Sequence, residues 1–361
     1  MYSQIPTSGA GDFTVTRATS ATRVNASGLI ESVASGIPRL DYYTSGGTAG
    51  CPALLVEPAA TNLALHSRDL TNAVWSGTTV TTAKNAVGAD GSASGATTIT
   101  ATAASGTVLQ ALSHASQSRV FSAYIRRVSG TGAIQLTTNG GTNWDTVTIT
   151  SSYTQVASVA RTVASGTVGI RLAASGDVIE VDFTQGEVGP VATSPIATTS
   201  GTVTRNADVI SVSGAVSGCI GQTEGTLYAE VDAVNWTNLG RIFVVSDGTT
   251  LNAISILFNT SNRFRLIIDT GGGFAQADIS SSSLSNGVHK IAVAYANNDI
   301  AFFVDGVLVG TDTSATIPAC SQIFLGKIGT SSSTNFMNDR IRAAALYTTR
   351  LTDSQLAALT T

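Results

Sequence analysis

The chain has 361 residues, which is too long for one small β-sandwich and suits two domains with connecting segments. Charged residues make up only 12% of it and the formal net charge is −4, which argues against nucleic-acid binding. Apolar residues make up 43%, but they lie in short alternating runs, far from the roughly 20 consecutive ones of a membrane-spanning helix. We therefore expect no nucleic-acid partner and no membrane insertion.

The N-terminus and the cysteines bear on where the chain folds. The first residues lack the basic and apolar regions of a secretory signal. Cys51, Cys219 and Cys320 are odd in number, far apart and without metal-site spacing, so we interpret them as reduced core thiols of a chain folded in a cytoplasm. Pairing of Cys219 with Cys320 stays open.

Residues 1–61 are predicted to form an extended N-terminal arm. Its β-prone pieces are short, broken by Gly and Pro, and too poor in apolar residues for a core of their own. They are Thr14–Arg17, Arg23–Asn25, Gly28–Glu31, Pro38–Tyr42 and Leu54–Pro58. The arm must therefore pack against the following domain or a partner subunit, and we expect it to serve assembly and attachment.

Several blocks of this arm, in this order, resemble an N-terminal module of tailed-bacteriophage structural proteins. The blocks are Arg17-Ala18-Thr19, Gly28-Leu29-Ile30, Pro38-Arg39-Leu40-Asp41-Tyr42, Leu54-Leu55-Val56-Glu57-Pro58 and Thr61-Asn62-Leu63-Ala64-Leu65. The resemblance implies a virion protein made in the bacterial host cytoplasm, with other virion proteins of the capsid or tail as partners. It also implies a homo-oligomer, with a trimer as the expected state.

Residues 62–191 are predicted to form a jelly roll of eight short strands separated by turns. The strands are 96–101, 107–112, 120–126, 133–136, 145–149, 153–159, 167–172 and 178–183. This pattern is similar to the carbohydrate-binding-module sandwiches that follow the arm in those phage proteins. Gln185–Gly189 and Thr202–Asp208 match the closing phrases of that module, whereas Ser194-Pro195-Ile196 matches loosely. The Pro-, Ser- and Thr-rich residues 192–208 are the predicted linker.

Residues 209–361 are predicted to form a second sandwich. An Asp-Gly pair between apolar runs is a strong hairpin signal, so Asp305 and Gly306 should form a turn. Strands are expected on either side of it, at 288–295, 300–310, 323–329 and 339–347, followed by a helix over 354–359 capped by Thr352 or Asp353. This order resembles the second half of a concanavalin A-like (laminin-G-like) sandwich, which implies a fold and not an activity.

The predicted fold class is therefore all-β: two tandem antiparallel β-sandwiches, a jelly roll and then a concanavalin A-like sandwich, preceded by the extended arm. Some sandwiches of this fold are glycoside hydrolases or lyases with paired carboxylates. Glu230 with Asp232, and Glu180 with Asp182, could form such pairs, but neither has the third carboxylate of those hydrolases. We expect no enzyme activity and assign no catalytic residue.

Other cofactor and metal signals are weak. The histidines have neither zinc spacing nor a nucleophile pattern, and Gly271-Gly272-Gly273 is interpreted as a hairpin turn rather than a phosphate loop. Aspartates near turns could bind calcium, as in laminin-G-like domains, but their usual role is to hydrogen-bond the backbone. No cofactor and no metal are assigned, and calcium binding stays open.

Sugar binding needs an exposed aromatic side chain flanked by planar polar groups. Asn143-Trp144-Asp145 fits after the Gly140-Gly141 turn, as does Asn235-Trp236 with Asn238, whereas Trp75 is expected to pack in the interior. The sequence thus favours a non-enzymatic phage head fibre, decoration protein or tail fibre that binds host-surface or environmental glycans. A polysaccharide-degrading enzyme on the same scaffold and a purely structural virion adaptor are the alternatives.

Overall fold

The computed structural model describes residues 13–42, 51–212, 218–271, 274–329 and 335–361. These residues form antiparallel sheets and a short terminal helix, so the prediction of an all-β chain is confirmed. They separate into two compact units. Unit 1 comprises the described residues within 1–18, 34–58 and 206–361, and unit 2 comprises residues 19–33 and 59–205.

The elements follow one another along the chain in three groups. The strands before residue 63 are β1 (Thr14–Thr16), β2 (Ala21–Val24), β3 (Ile30–Val33), β4 (Leu40–Asp41), β5 (Ala53–Val56) and β6 (Ala60–Asn62). Those up to residue 212 are β7 (Ser76–Thr78), β8 (Val80–Ala86), β9 (Ala96–Ala101), β10 (Gly106–Ala111), β11 (Gln117–Ser129), β12 (Ile134–Thr137), β13 (Asp145–Val147), β14 (Thr154–Ala157), β15 (Arg161–Val163), β16 (Thr167–Leu172), β17 (Val178–Val188), β18 (Val203–Arg205) and β19 (Val209–Val212). The last are β20 (Glu224–Ala233), β21 (Arg241–Ser246), β22 (Ala253–Asn259), β23 (Arg263–Thr270), β24 (Phe274–Ser280), β25 (Gly287–Ala296), β26 (Asp299–Val304), β27 (Val307–Asp312), β28 (Gln322–Leu325), β29 (Asp339–Tyr347) and helix α1 (Asp353–Thr360).

Unit 1 is a sandwich of two seven-stranded sheets. Their strand orders are β1-β19-β28-β21-β22-β23-β24 and β27-β26-β25-β20-β29-β5-β4. Alternate residues of both sheets, such as Val231, Phe243 and Phe302, are fully or almost fully buried in one shared core. Helix α1 covers the outer face of the second sheet, where Leu356 is buried against Tyr228 and Phe303.

Two local predictions in unit 1 are confirmed. Asp305 and Gly306 have φ angles of 48° and 78° between β26 and β27, as a two-residue hairpin turn with both central residues left-handed requires. Thr352 is the N-cap of α1 and forms a capping box with Gln355. For the predicted Gly271–Gly273 turn, β23 and β24 pair as a hairpin, but residues 272 and 273 lie outside the described residues.

The described parts of the arm pair with strands of their own chain. In unit 1, β1 pairs with β19, and β5 pairs with both β4 and β29. Ion pairs reinforce these contacts: Arg17 Nη1 lies 2.7 Å from Asp208 Oδ1, and Arg39 Nη1 lies 2.7 Å from Glu57 Oε2. All four side chains are almost fully buried, so each charge inside unit 1 has an opposite partner, and removal of one partner would leave a buried unpaired charge. The arm was expected to pack against the following jelly roll or a partner subunit. Its β1, β4 and β5 strands instead complete the two sheets of the C-terminal sandwich, while residues 19–33 belong to unit 2.

Unit 2 is a second sandwich, with strand orders β13-β12-β16-β10-β7 and β14-β11-β17-β9-β8, and β15 also pairs with β11. Each of the eight predicted strands is present. Unit 2 also has three strands that were not predicted, β7, β8 and β15. They are short or carry Thr, Lys and Asn instead of apolar residues. The β2–β3 hairpin of the arm contributes Ile30 to an apolar cluster with Tyr124 and Phe183, on the β11 and β17 strands.

Two buried polar residues of the blocks that resemble the phage module, Asn62 and Glu187, also form hydrogen bonds within unit 2. The Asn62 side-chain amide donates hydrogen bonds to the carbonyls of Thr184 (2.9 Å) and Ile196 (2.8 Å) and accepts one from Gly186 N. Glu187 accepts a hydrogen bond from Thr193 N, and burial raises the pKa of its carboxyl group. These blocks therefore fix the chain around the end of β17.

The cysteines correct one expectation. Cys320 is buried as expected, but Cys51 is exposed and Cys219 is half-buried, so they are not all core thiols. No disulfide joins them. In the ranges that the structure describes, no helix has the length and apolar character needed to cross a membrane.

Candidate functional site

The first predicted site lies at the β12–β13 hairpin of unit 2. Gly140 and Gly141 have φ angles of 69° and 87° and make the turn. Asn139 fixes the turn because its side chain accepts a hydrogen bond from Asn143 N (2.9 Å) and donates one to Asn143 Oδ1 (2.8 Å). Asn143 is therefore part of the support that presents Trp144 at the start of β13.

Trp144 lies half-buried at the surface and belongs to no core cluster among the described residues. The Arg171 guanidinium is 4.6 Å from the centroid of its ring, a cation–π contact. Gly141 lies against the indole, since a β-carbon added there would be 3.0 Å from both Nε1 and Cζ2. The indole N–H has no acceptor in the described part of the chain, so it can donate to a ligand.

Arg171 itself is part of a polar row across the outer face of the five-stranded sheet. Arg171 Nε donates to Gln135 Oε1 (2.7 Å), and Gln135 Nε2 donates to Thr146 Oγ1 (3.2 Å). The register places Gln135 opposite both Arg171 and Thr146, and Thr107 opposite Arg171. We call these four residues and Trp144 the Trp144 platform.

Asp145, the third residue of this predicted site, is engaged by other residues. Its two carboxylate oxygens lie 2.5 and 2.6 Å from the Nη atoms of Arg161, and Oδ2 also accepts from Val159 N. The hydrogen bonds from Arg161 hold the pKa of the Asp145 carboxyl below its usual value. Asp145 is thus a charged but already paired group.

The second predicted site, around Trp236 in unit 1, is built differently. The Trp236 ring packs at centroid distances of 5.0 Å from Phe264, 5.3 Å from Phe258 and 5.9 Å from His289. Its indole N–H donates to Asn286 Oδ1 (2.9 Å). The half-buried side chain lies against the unit 1 core, which is the environment of a packing residue.

The neighbours of Trp236 are tied to β29. Asn235 Nδ2 donates to the Asn338 carbonyl (2.7 Å), and Asn235 N donates to Asp339 Oδ2 (2.8 Å). Asp339 is 1% exposed, and burial raises the pKa of its carboxyl to about 7. Asn238 is exposed. Of the three residues predicted here, Asn238 is the exposed one.

The predicted packing role of Trp75 is confirmed. It is 5% exposed, lies in the unit 2 core and donates its indole N–H to the Leu65 carbonyl at 3.1 Å.

Three of the four carboxylates considered for catalysis are engaged by arginines, whereas Asp232 is buried and its Oδ1 has no hydrogen-bond partner among the described residues. Glu230 Oε1 lies 2.9 Å from Arg342 Nε, and Glu180 Oε2 lies 2.5 Å from Arg126 Nε. Asp182 Oδ1 lies 2.8 Å from Arg68 Nε, and its Oδ2 accepts from Ala89 N. Within the described residues, no group of three or more His, Cys, Asp or Glu side chains is arranged to hold a metal ion.

Four residues of the platform were not predicted from the sequence: Arg171, Gln135, Thr107 and Thr146. A signal for them exists, because each is a polar residue that is more exposed than its neighbours in the strand, as Thr107 is in β10 and Gln135 is in β12. Their meeting at one face depends on strand order, which alternation does not encode. A recess in unit 2, of about 480 Å³, was also not predicted, because the β2–β3 hairpin of the arm forms part of its wall.

A family model supports one part of the fold. Residues 205–357 match the model of the concanavalin A-like lectin/glucanases superfamily. The chain therefore contains a concanavalin A-like domain, and the expected second sandwich is confirmed. That domain is a lectin-like β-sandwich.

Several solved structures also match part of the chain. The CBM40 of the Ruminococcus gnavus IT-sialidase is 16% identical, with a TM-score of 0.36 over 41% of this chain and 87% of that one. Domain 4 of AbnA, a GH43 extracellular arabinanase from Geobacillus stearothermophilus, solved with arabinotriose, is 14% identical, with a TM-score of 0.34 over 47% and 82%. A SAP-like pentraxin from Limulus polyphemus is 14% identical, with a TM-score of 0.30 over 37% and 68%. No curated protein matches the sequence.

Proposed function

We propose that the chain is a non-enzymatic, glycan-binding structural protein of a tailed-bacteriophage virion, a head fibre, decoration protein or tail fibre. The Trp144 platform carries the glycan-binding part of this proposal. It combines a half-buried indole, an indole N–H without an acceptor among the described residues, and a guanidinium held in place on a sheet face. Aromatic and planar polar groups of this kind suit a sugar, whose ring offers apolar C–H faces and many hydrogen-bonding oxygens.

The test is a glycan array probed with the protein and with Trp144→Ala. We expect weak binding to a subset of glycans and a loss of at least about 1 kcal/mol on truncation of Trp144, the scale of a favourable aromatic contact. Val307→Ala is the control, because Val307 is a surface residue of unit 1 that is 65% exposed. Binding that is equal in the protein and in Trp144→Ala would reject the platform.

The virion part of the proposal is supported by the arm. The support is the resemblance of its sequence blocks, in their order, to the N-terminal module of phage structural proteins. Within this chain those blocks place Arg17, Arg39 and Glu57 in the buried ion pairs of unit 1. Mass spectrometry of purified virions, followed by imaging of particles with the protein labelled, tests the assignment and distinguishes head from tail. Absence of the protein from intact particles would contradict it.

The non-enzymatic part has its own test. Glu180, Asp182 and Glu230 are each paired with an arginine. Within the described residues this leaves Asp232 as the one unpaired carboxylate of the two candidate pairs, which disfavours a general acid and base working together. Incubation with every glycan that binds, followed by measurement of reducing ends and unsaturated products, should show no turnover. A turnover that Glu230→Gln or Glu180→Gln abolishes would establish the enzyme alternative.

A further inference from the structure

We propose that the Trp144 platform selects glycans that carry a carboxylate, with Arg171 as the residue that binds the acidic group. This inference rests on the proposed glycan-binding function and names its ligand class. Its starting point is the unusual charge environment of Arg171 within unit 2.

Arg171 differs from most arginines around it. Five other arginines of unit 2 form ion pairs with carboxylates: Arg23, Arg68, Arg126, Arg127 and Arg161. Arg171 has no carboxylate within ion-pair distance in the ranges that the structure describes, although it is only half-buried and lies on the face of a sheet. Its positive charge is therefore available to a ligand.

The guanidinium is also held in one orientation. Gln135 Oε1 accepts the hydrogen bond from Nε at 2.7 Å, and the indole of Trp144 supports the guanidinium at 4.6 Å. Thr146 orients Gln135 in turn, at 3.2 Å. A long arginine side chain normally loses much rotamer freedom when it binds, so this fixation lowers the entropic cost of binding.

Fixation of Nε leaves a specific set of donors. The two Nη groups of Arg171 have no protein acceptor among the described residues, and they form a planar fork that matches the two oxygens of a carboxylate. The nearby indole N–H of Trp144 is a further donor. The adjacent carboxylate, Asp145, is neutralised by Arg161, so it does not compete for the fork.

The platform offers no free amide or carboxylate oxygen, only the hydroxyls of Thr107 and Thr146, and this shortage of strong acceptors favours one ligand class. A neutral sugar presents hydroxyl groups that both donate and accept, and protein sites for them usually pair amides or carboxylates with donors. Here the amide oxygen of Gln135 is used by Arg171, and the carboxylate of Asp145 is used by Arg161. A donor-rich surface with a fixed positive charge suits an acceptor-rich, anionic group such as a uronic acid carboxylate.

The experiment compares polygalacturonate with its methyl ester, which keeps the sugar chain and removes the charge. We expect at least tenfold tighter binding to the acid, weakened by added NaCl because part of the attraction is electrostatic. Arg171→Gln should lower binding to the acid about tenfold and so abolish most of the preference for the acid over the ester. Arg171→Lys keeps the charge and loses the fork, so its affinity for the acid should lie between those of the unchanged protein and Arg171→Gln.

The control is Arg263→Gln, which removes the same charge from an exposed position of unit 1 and should leave binding unchanged. Equal binding to the acid and the ester, or an Arg171→Gln protein that binds the acid normally, would overturn the inference. If one of these results is found but Trp144→Ala abolishes binding to the ester, the platform binds glycans and only the preference for an acidic glycan is rejected. Lack of binding to both polymers would also overturn it, while the glycan array would decide the proposed function separately.

Discussion

Trp144 and Trp236 each follow an asparagine near a strand end, yet their surroundings differ. Trp236 packs on Phe258, Phe264 and His289 and its indole N–H is bonded to Asn286. Trp144 lies on Gly141 and Arg171, outside the core clusters, with an indole N–H that has no acceptor in the described part of the chain. The same local pattern therefore gives a residue embedded in a core edge in one unit and a residue available at a surface in the other. The decisive difference is whether the facing side chains are aromatic or polar.

The largest effect that separates the two is expected for Trp236→Ala. Removal of the ring leaves a cavity beside Phe258 and Phe264, which should destabilise unit 1 by about 3 kcal/mol, the lower end for a buried Phe or Trp. Scanning calorimetry is the suitable measurement, because a chain of two units need not unfold in one transition. A thermogram identical to that of the unchanged protein would contradict a packing role.

A second difference between the two tryptophan sites is a pH-dependent contribution to stability at the Trp236 site. It comes from Asp339, whose Oδ2 accepts hydrogen bonds from the backbone N–H groups of Val234 and Asn235, next to Trp236. Burial raises its pKa in the folded state to about 7, from 3.8 for an unperturbed aspartate side chain. The folded state therefore binds the proton more tightly than the unfolded state. The stability that this gives is fully present below about pH 4 and is lost as the pH rises through about 7.

Asp339→Asn should remove this pH dependence, which amounts to a few kcal/mol because each pKa unit corresponds to about 1.4 kcal/mol. Urea unfolding of the two proteins at pH 5, 7 and 8.5 measures it, and the difference between their slopes isolates Asp339 from other titrating groups. Parallel pH profiles would show that the carboxyl group titrates normally.

The fold was largely predictable from the sequence, and the site much less so. Alternation located strands such as β9, β16 and β29 to the residue, because one buried face imposes a period of two. Asp305-Gly306 fixed a hairpin because few residues tolerate two left-handed conformations. By contrast, Arg171 and Trp144 lie far apart in sequence, and their contact depends on which strands neighbour each other. Burial of Arg17 and Arg39 was equally invisible, because charged residues in an apolar-poor arm look solvent-exposed.

The Gly140-Gly141 turn offers a third, smaller comparison. Gly141→Ala should cost more than about 1 kcal/mol, since it places a side chain in the left-handed region and its β-carbon 3.0 Å from the indole. Gly176→Ala is a matched control, with a φ of 82° and no atom within 4 Å of the added carbon. The stability loss of Gly176→Ala should therefore reflect backbone strain alone. The loss of Gly141→Ala should reflect backbone strain together with displacement of the Trp144 indole. Melting temperatures and glycan binding of both variants separate the two terms, and equal behaviour would mean that Gly141 does not position the indole.

The smallest effect on stability is expected for Trp144→Ala, and it sharpens the comparison most. The ring makes a cation–π contact with Arg171 and touches Gly141, but it fills no part of the unit 2 core, so its loss should cost about 0.5 to 1 kcal/mol. Urea midpoints of Trp144→Ala and Trp236→Ala, measured side by side, give the contrast. If glycan binding is lost in Trp144→Ala while its unfolding midpoint barely moves, the indole acts on the ligand. If instead Trp144→Ala is destabilised as much as Trp236→Ala, and the protein that remains folded binds glycan normally, both tryptophans are packing residues. The platform would then have no binding role.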